Sequence, residues 1–236
     1  MPFVKDTLWR LRSPRLFDGL TPQDLRAIVP LLDLRHYRAA DVIFHAGDTA
    51  DRVYFLGKGV VKISAVSAER EERILDLVTP GHTFGDLFVG ATGRWTAAAE
   101  ALAPVILRTI TGGAFMDLLH ALPRLSLNFV RHLAHQHQRA FFRLAALQHK
   151  KSGPRLLAVL LDLAEYCGER DGDRYTLPRN LTHADLARLA GLHRTTVSLL
   201  INDYRREGIL AGRRRSLVIH PASADALLQK AGLTRL

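Results

Sequence analysis

Residues 193–201, His-Arg-Thr-Thr-Val-Ser-Leu-Leu-Ile, place one guanidinium and three hydroxyl groups within five positions. An arginine presents a planar fork of N–H donors that matches phosphate oxygens and the O6 and N7 atoms of guanine. Hydroxyl groups bind phosphate, and the threonine methyl packs on the methyl of thymine. The side chains of Arg194, Thr195, Thr196 and Ser198 therefore predict contacts with nucleic acid.

The flanking sequence predicts the elements that would hold these side chains. Thr182-His-Ala-Asp185 has the spacing of a capping box, which starts a helix. Gly191 permits a tight turn, and a second helix then opens at His193 and ends at Gly208. Two short helices joined by a glycine-containing turn, with a cation near the start of the second helix, are typical of a helix-turn-helix.

A basic hairpin is predicted directly after these helices. Residues 208–220 contain two short β-rich runs around Arg213, Arg214 and Arg215, so they resemble a wing. Together with Arg179 and His183, these arginines are placed to meet phosphates, which set affinity but read no sequence. The alternative for the arginine triplet alone is a solvated hairpin tip, but behind a helix-turn-helix we favour DNA contact.

A long amphipathic helix is predicted from Ser126 to Leu147. Its narrow stripe repeats at alternating spacings of three and four, and it consists of Val130, Leu133, His137, Ala140, Leu144 and Leu147. This spacing is typical of a helix that packs against a second helix. We predict a dimer interface, since the remaining faces are polar; the alternative is a core helix buried in one globule.

Before this helix, the apolar period changes to two between Leu34 and Thr111. Short β-rich runs separated by turns that contain Gly, Pro or Asp predict a small antiparallel barrel or sandwich. The predicted strands are Val42–His45, Arg52–Leu56, Val60–Val66, Ile74–Val78, Trp95–Ala101 and Val105–Ile110. A short helix is expected at Phe115–Leu119, and residues 168–174 are read as a loop.

Composition narrows the classes of function. The formal net charge is +10 and the excess is denser after residue 150, which suits a polyanionic partner. A single cysteine, Cys167, excludes an iron–sulfur cluster held within one chain. No apolar run is long enough to cross a membrane and no signal peptide is evident, so we expect a cytoplasmic protein without a membrane partner.

The order of these parts resembles the cyclic-AMP receptor protein and fumarate-nitrate regulator (CRP/FNR) family of bacterial transcription factors. The resemblance rests on residues 43–48 (Ile-Phe-His-Ala-Gly-Asp), 53–63 and 80–86 (Pro-Gly-His-Thr-Phe-Gly-Asp), and on the helix-turn-helix with Arg194-Thr-Thr-Val. It implies an α+β fold with a cyclic-nucleotide-binding-like β-roll sensor domain, a long dimerisation helix and a C-terminal winged helix-turn-helix domain. The expected boundaries are an arm at 1–20, the β-roll at 21–122, the dimerisation helix at 123–149, a hinge at 150–154 and the DNA-binding domain at 155–236.

The resemblance also implies a base-reading role for Arg194. The family often has Glu directly after that arginine and a second Arg near the next turn. Here those positions hold Thr195 and Leu199, so the family's best-known target sequence is not assumed.

The resemblance implies an effector pocket whose chemistry differs from that of a cyclic-nucleotide reader. Its candidate residues are Phe84, Gly85, Asp86, Arg94, Trp95, Thr96, Phe129, Leu133, His137 and Phe141. Trp95 stands where the family's phosphate-binding arginine would be, and a buried phosphate needs a paired charge. We therefore expect no cyclic-AMP binding, and either another ligand or none; a flat, apolar ligand such as haem is an alternative.

The sequence is compatible with three classes of function to different degrees. The favoured one is a homodimeric regulator that binds a two-fold symmetric operator, with double-stranded DNA, a second copy and RNA polymerase as partners. The second is a regulatory module whose C-terminal domain contacts a protein. An enzyme is not expected, because the sequence shows no nucleophile–base set, phosphate-cradling loop or paired carboxylates. His132 and His135 lie three residues apart and could together bind a divalent metal ion. A solvated polar helix face is the favoured explanation for both residues.

Overall fold

The structure is a computed structural model that describes residues 15–68, 70–85, 93–178, 181–212 and 217–233. The chain divides into two compact units at the boundary between His135 and Gln136, and residues 70–74 are grouped with the second unit. Within the described ranges, no helix is both long and apolar enough to cross a membrane.

Short strands dominate the chain up to residue 111. They are β1 Asp33–Tyr37, β2 Val42–Phe44, β3 Arg52–Lys58, β4 Val61–Val66, β5 Glu72–Val78, β6 Thr83–Phe84, β7 Ala98–Ala101 and β8 Val105–Thr111. One sheet has the order β1-β8-β3-β6 and the other has the order β2-β7-β4-β5. The pairs β1–β8, β3–β8 and β4–β7 are antiparallel, as the period of two predicts.

Three helices complete this part of the chain: α1 Pro22–Ile28, α2 Gly112–Ala121 and α3 Pro123–Leu147. Helix α1 starts with a capping box, in which the Asp24 N–H donates to Thr21 Oγ1 at 3.2 Å and the Thr21 N–H donates to Asp24 Oδ2 at 2.8 Å. Helix α2 is longer than the predicted segment because the Thr111 hydroxyl caps it from the end of β8.

The predicted N-terminal arm of residues 1–20 is too long. Residues 15–17 form a 3-10 helix, and Leu16 and Phe17 are buried in the same core as Phe55, Phe115 and Phe129. The Asn128 amide of α3 donates to the carbonyl oxygens of Leu16 and Asp18, at 2.9 and 2.8 Å. These two hydrogen bonds and the buried side chains fix the segment to the first unit.

The second unit contains the C-terminal half of α3 and a small α+β domain. Its further elements are α4 Ser152–Cys167, β9 Glu169–Asp171, β10 Arg174–Thr176, α5 His183–Ala190, α6 Arg194–Arg206, β11 Leu210–Ala211, β12 Val218–Ile219 and α7 Pro221–Lys230. The strands form one sheet in the order β11-β12-β10-β9. Every residue from Leu156 to Ala164 is buried, so α4 is the central helix of this unit.

Two sequence predictions in this unit need correction. The hinge is shorter than residues 150–154, because α4 begins at Ser152 and includes Gly153 and Pro154 in its first turn. A proline is tolerated there, since the N–H groups of the first turn have no partner within the helix. The segment predicted as a loop at 168–174 instead contributes to the β9–β10 hairpin, in which Tyr175 pairs with Arg170.

Candidate DNA interface and sensor site

The helix-turn-helix forms as its capping pattern predicts. The Asp185 N–H donates to Thr182 Oγ1 at 3.1 Å, and the Thr182 N–H donates to Asp185 Oδ2 at 2.9 Å. Helix α5 ends at Gly191, whose φ of 60° lies in the left-handed region that glycine adopts without strain. Helix α6 then begins at Arg194, with His193 as its N-cap rather than its first residue.

Helix α6 has one buried and one exposed face. Val197, Ile201 and Tyr204 are buried at spacings of four and three, which anchors the helix in its domain. Arg194 and Thr195 are exposed in the first turn, and Thr196 is partly exposed. A helix presented in this way can lay its N-terminal side chains against base edges in the major groove.

The Ser198 hydroxyl is engaged inside its own domain in the protein without DNA. Its hydroxyl donates to the Arg194 carbonyl oxygen at 3.0 Å, and it lies 2.8 Å from His183 Nδ1. Because a hydroxyl carries a single proton, His183 Nδ1 must donate in the second hydrogen bond. In the protein without DNA, the Ser198 proton is thus used within the domain, and the contact of Ser198 with DNA stays a prediction.

The His183 ring lies in a positively charged environment. Burial lowers the pKa of His183 below its ordinary value of 6.5, and the charges of Arg205 and Arg194 lower it further. The ring is therefore neutral near pH 7 in the free protein. With Nδ1 used by Ser198, Nε2 is the atom that can take up a proton beside a phosphate.

The remaining predicted phosphate contacts lie outside the described residues. They are Arg179, Arg213, Arg214 and Arg215. The strands that flank the arginine triplet are described: β11 and β12 pair antiparallel, with Leu210 opposite Ile219. The predicted hairpin after the helix-turn-helix is thus present as two short strands.

Four aromatic rings pack together in the core of the β-roll. The Phe44 and Trp95 rings stack with centroids 4.4 Å apart, and the Tyr54 and Phe84 rings stack at 4.8 Å. Tyr54 also contacts Trp95, with ring centroids 6.5 Å apart. Trp95 is only 6% exposed. The residue at the expected phosphate position is therefore part of the hydrophobic core.

The described polar candidates beside Trp95 lie at the surface. Arg94 Nη1 donates to the Gly47 carbonyl oxygen at 2.7 Å, and the arginine is exposed. Thr96 is exposed as well, and Asp86 lies outside the described residues. Gly85 has a φ of 78°, and a Cβ there would lie 2.7 Å from Tyr54 Cδ2, so glycine is required for the close approach to this ring.

On α3, the candidate pocket residue Phe129 lies outside this aromatic cluster. Phe129 belongs to the separate core that contains Phe115, with ring centroids 5.2 Å apart. Leu133 and His137 are exposed, and the exposed Phe141 ring packs beside that of His137 at 4.5 Å. Phe84 and Trp95 thus lie in one core of the first unit and Phe129 in another, and the effector pocket stays a prediction.

Within the first unit, α3 contacts the β-roll through a polar pair that was not predicted. His132 Nε2 lies 2.9 Å from the Thr83 hydroxyl of β6. The His132 ring also stacks at 6.4 Å on Phe129. The sequence did not predict this contact, because its two residues are 49 positions apart and no local pattern joins them. Among the described residues, no cluster of three or more His, Cys, Asp or Glu side chains is arranged to hold a metal ion.

The predicted dimer stripe is exposed along the whole of α3. All six of its positions are solvent-accessible in the single chain, and Val130 and Leu144 are 60% and 54% exposed. The opposite face of the helix is buried at positions such as Leu125 and Ala146. An apolar stripe of this length left open to water is typical of an interaction surface.

Sequence reasoning missed a buried ionic cluster between α3 and α4, formed by Arg139, Arg143, Asp162 and Tyr166. Asp162 is 5% exposed and accepts hydrogen bonds from both arginines. Two signals could have identified it: an acidic residue interrupts the apolar run of α4, and the two arginines lie four residues apart on one face of α3.

Comparisons with known proteins agree with this geometry. Residues 34–121 match the family model of the cyclic nucleotide-binding domain, and residues 154–224 match the Crp-like helix-turn-helix domain. The global nitrogen regulator of Nostoc sp. is 31% identical over 180 residues, which cover 75% of this chain and 81% of that protein. The CRP-like cAMP-activated global transcriptional regulator of Mycobacterium tuberculosis is 26% identical over 204 residues, covering 86% of this chain and 91% of that one.

A solved structure supports the fold. FixK2 from Bradyrhizobium japonicum superposes with a TM-score of 0.70 at 19% identity, covering 87% of this chain and 98% of that chain. Fold and relatives together define a transcription regulator with a cyclic nucleotide-binding domain and a DNA-binding helix-turn-helix. The chain belongs to the CRP/FNR family of bacterial transcription regulators.

Proposed function

We propose that this regulator acts as a homodimer that binds a two-fold symmetric operator and does not require cyclic AMP. The main support for this proposal is the solvent exposure of two helix surfaces. These are the apolar stripe of α3 and the N-terminal end of α6 at Arg194. The first surface suits a second copy of the same helix, and the second suits a DNA groove.

The stripe of α3 supports self-association. From Val130 to Leu147 it extends about 26 Å along the helix, at a rise of about 1.5 Å per residue. Its alternating spacing of three and four lets two copies pack side chains into one another in a coiled-coil manner. His137 is the one polar member of the stripe.

The proposed dimer would present two α6 helices to one face of a DNA duplex. Helix-turn-helix dimers read half-sites about 34 Å apart, or one helical turn of DNA. Arg194 is proposed to bind guanine O6 and N7 in each half-site, and the wing arginines Arg213, Arg214 and Arg215 to bind phosphates. Thr195 and Thr196 are proposed to contact phosphate or a thymine methyl. RNA polymerase is the further partner expected of such a regulator.

The aromatic core of the β-roll supports independence from cyclic AMP. A cyclic phosphate would need space and a cation where Trp95 packs against Phe44 and Tyr54. Placing an unpaired phosphate there would cost several kcal/mol of desolvation. The aromatic side chains favour either no ligand or a flat, apolar ligand. Haem is an example of such a flat, apolar ligand.

The proposed operator can be tested by selecting bound sites from random double-stranded DNA, with purified protein and no added nucleotide. We expect an inverted repeat with half-site centres about 10–10.5 base pairs, or a multiple of that, apart. Binding to the selected site should weaken steeply as salt is raised, because phosphate contacts release counterions. No enrichment, or enrichment of a single unrepeated half-site, would contradict the proposal.

A further inference from the structure

Leu199 is the most exposed large apolar side chain of α6, with 66% of its surface accessible. It lies opposite the anchoring face, about 200° around the helix from both Val197 and Ile201. Packing within its own domain therefore does not account for a leucine at this position. A polar side chain would be equally compatible with the fold there.

The neighbours of Leu199 on the helix surface are the two threonines of the first turn. Thr195 and Thr196 precede it by four and three residues, which places all three side chains on one face. Two threonine methyls and one leucine thus form a small apolar strip beside Arg194. Along the helix axis, Leu199 lies about 7.5 Å beyond Arg194, which corresponds to roughly two base-pair steps.

A leucine can recognise only one feature of a base edge in the major groove. It has no hydrogen-bond donor or acceptor, and the methyl group of thymine is the apolar feature displayed there. Against guanine, adenine or cytosine, the same side chain would cover donors or acceptors without replacing the water that satisfies them. Packing of a leucine on a base edge therefore favours thymine over the other three bases.

We propose that Leu199 is a specificity-determining residue that packs on a thymine methyl in each half-site, roughly two base pairs from the guanine bound by Arg194. The inference rests on the proposed DNA-binding function. The cations of α6, Arg194, Arg205 and Arg206, favour a nucleic-acid partner for this strip over an apolar protein surface.

The test removes single methyl groups from the selected operator. Each thymine is replaced in turn by deoxyuridine in both half-sites, and affinities are measured by fluorescence anisotropy at fixed salt. For one thymine position, the wild-type affinity should fall about fourfold per methyl, or about sixteenfold for both half-sites. Leu199→Ala should bind the unmodified site with a similar loss and be insensitive to deoxyuridine at that position alone.

Matched variants separate this role from a structural one. Leu199→Met keeps an apolar contact and should retain the wild-type sensitivity, whereas Leu199→Arg should shift the selected base at that position to guanine. Val66→Ala removes a comparably exposed apolar side chain from β4 and should change nothing. The inference is overturned if Leu199→Ala keeps the wild-type response to every deoxyuridine. That result would leave the proposed DNA binding intact, whereas failure of the wild-type protein to select any site would overturn both.

Discussion

Arg139 and Asp162 form a bidentate ion pair between α3 and α4, with Nε–Oδ1 and Nη2–Oδ2 distances of 2.9 and 3.0 Å. Arg143 adds a third hydrogen bond to the same carboxylate, at 2.6 Å. The Arg139 guanidinium also lies 3.2 Å above the centre of the Tyr166 ring. The C-terminal half of the long helix is therefore fixed to the central helix of the DNA-binding unit, and a rotation of that half would carry α4 with it.

Replacing Asp162 by Asn should destabilise the protein strongly. Two guanidinium groups would be left at a buried position without their counter-charge, which costs roughly 3–5 kcal/mol. Urea unfolding at pH 7, followed by circular dichroism, measures the difference. Asp171→Asn, at an exposed position of β9, is the control and should change the free energy of unfolding by less than about 0.5 kcal/mol.

The Asp162 carboxylate also predicts a pH dependence of this loss. Burial alone would raise its pKa, but Arg143 and Arg139 outweigh burial and hold the pKa of Asp162 below its ordinary value of 3.8. Its contribution is therefore complete above pH 3.8 and is lost as the pH falls through the lowered pKa. The gap in unfolding free energy between wild type and Asp162→Asn should narrow only below pH 3.8. A gap that closes already between pH 7 and pH 5 would show that the ion pair is not its source.

Arg194→Ala should cost about 1–3 kcal/mol on the selected operator and relax the preference at one base per half-site. Joint replacement of Arg213, Arg214 and Arg215 by Gln should instead weaken all DNA to a similar degree and flatten the dependence on salt. Anisotropy titrations on specific and scrambled duplexes separate the two effects. If both variants bound the operator like wild type, α6 would not be the reading helix.

The proton uptake of His183 should make DNA binding pH-dependent. Its pKa is lowered in the free protein by burial, Arg205 and Arg194, whereas a nearby phosphate would raise it. The complex then binds more protons than the free protein, so affinity should rise as the pH falls from 7.5 to 5.5. His183→Gln should flatten this profile. An unchanged slope in that variant would assign the proton uptake to another group.

Calorimetry with cyclic AMP and cyclic GMP at millimolar concentration should show no specific binding heat. The reason is the stacked Trp95, which occupies the β-roll interior and offers no cation. As a check on its structural role, Trp95→Ala should lower the free energy of unfolding by roughly 3–5 kcal/mol. A micromolar dissociation constant for either nucleotide would contradict this interpretation.

Elements defined by local signals could be predicted from the sequence. The Thr182–Asp185 capping box and Gly191 fix the helix-turn-helix through neighbouring residues, and the apolar alternation of Val105–Thr111 defines a central strand. The strand at Ala98–Ala101 is shorter than predicted, since Trp95 packs into the core before the strand begins.

The parts that could not be predicted depend on distant contacts. Glu169–Asp171 is a charged, exposed strand with no alternation, and it forms only because β10 pairs with it. Phe129 was assigned to the sensor pocket because its helix position allowed it, whereas Phe115 and Phe55 hold it in another core. The contact between the Ser198 hydroxyl and His183 joins residues fifteen positions apart, so no local pattern predicts it.

We propose that two copies of this chain, joined by α3, bind one symmetric operator. Sedimentation velocity of the protein with the selected duplex should give a complex of two chains per duplex, and a dimer without DNA. Combining Leu133→Asp with Leu144→Asp would place four carboxylates in the proposed interface, where unpaired charge is costly. We predict that this double variant sediments as a monomer and loses tight operator binding; a dimer that persists in the variant and still binds the operator would contradict the account.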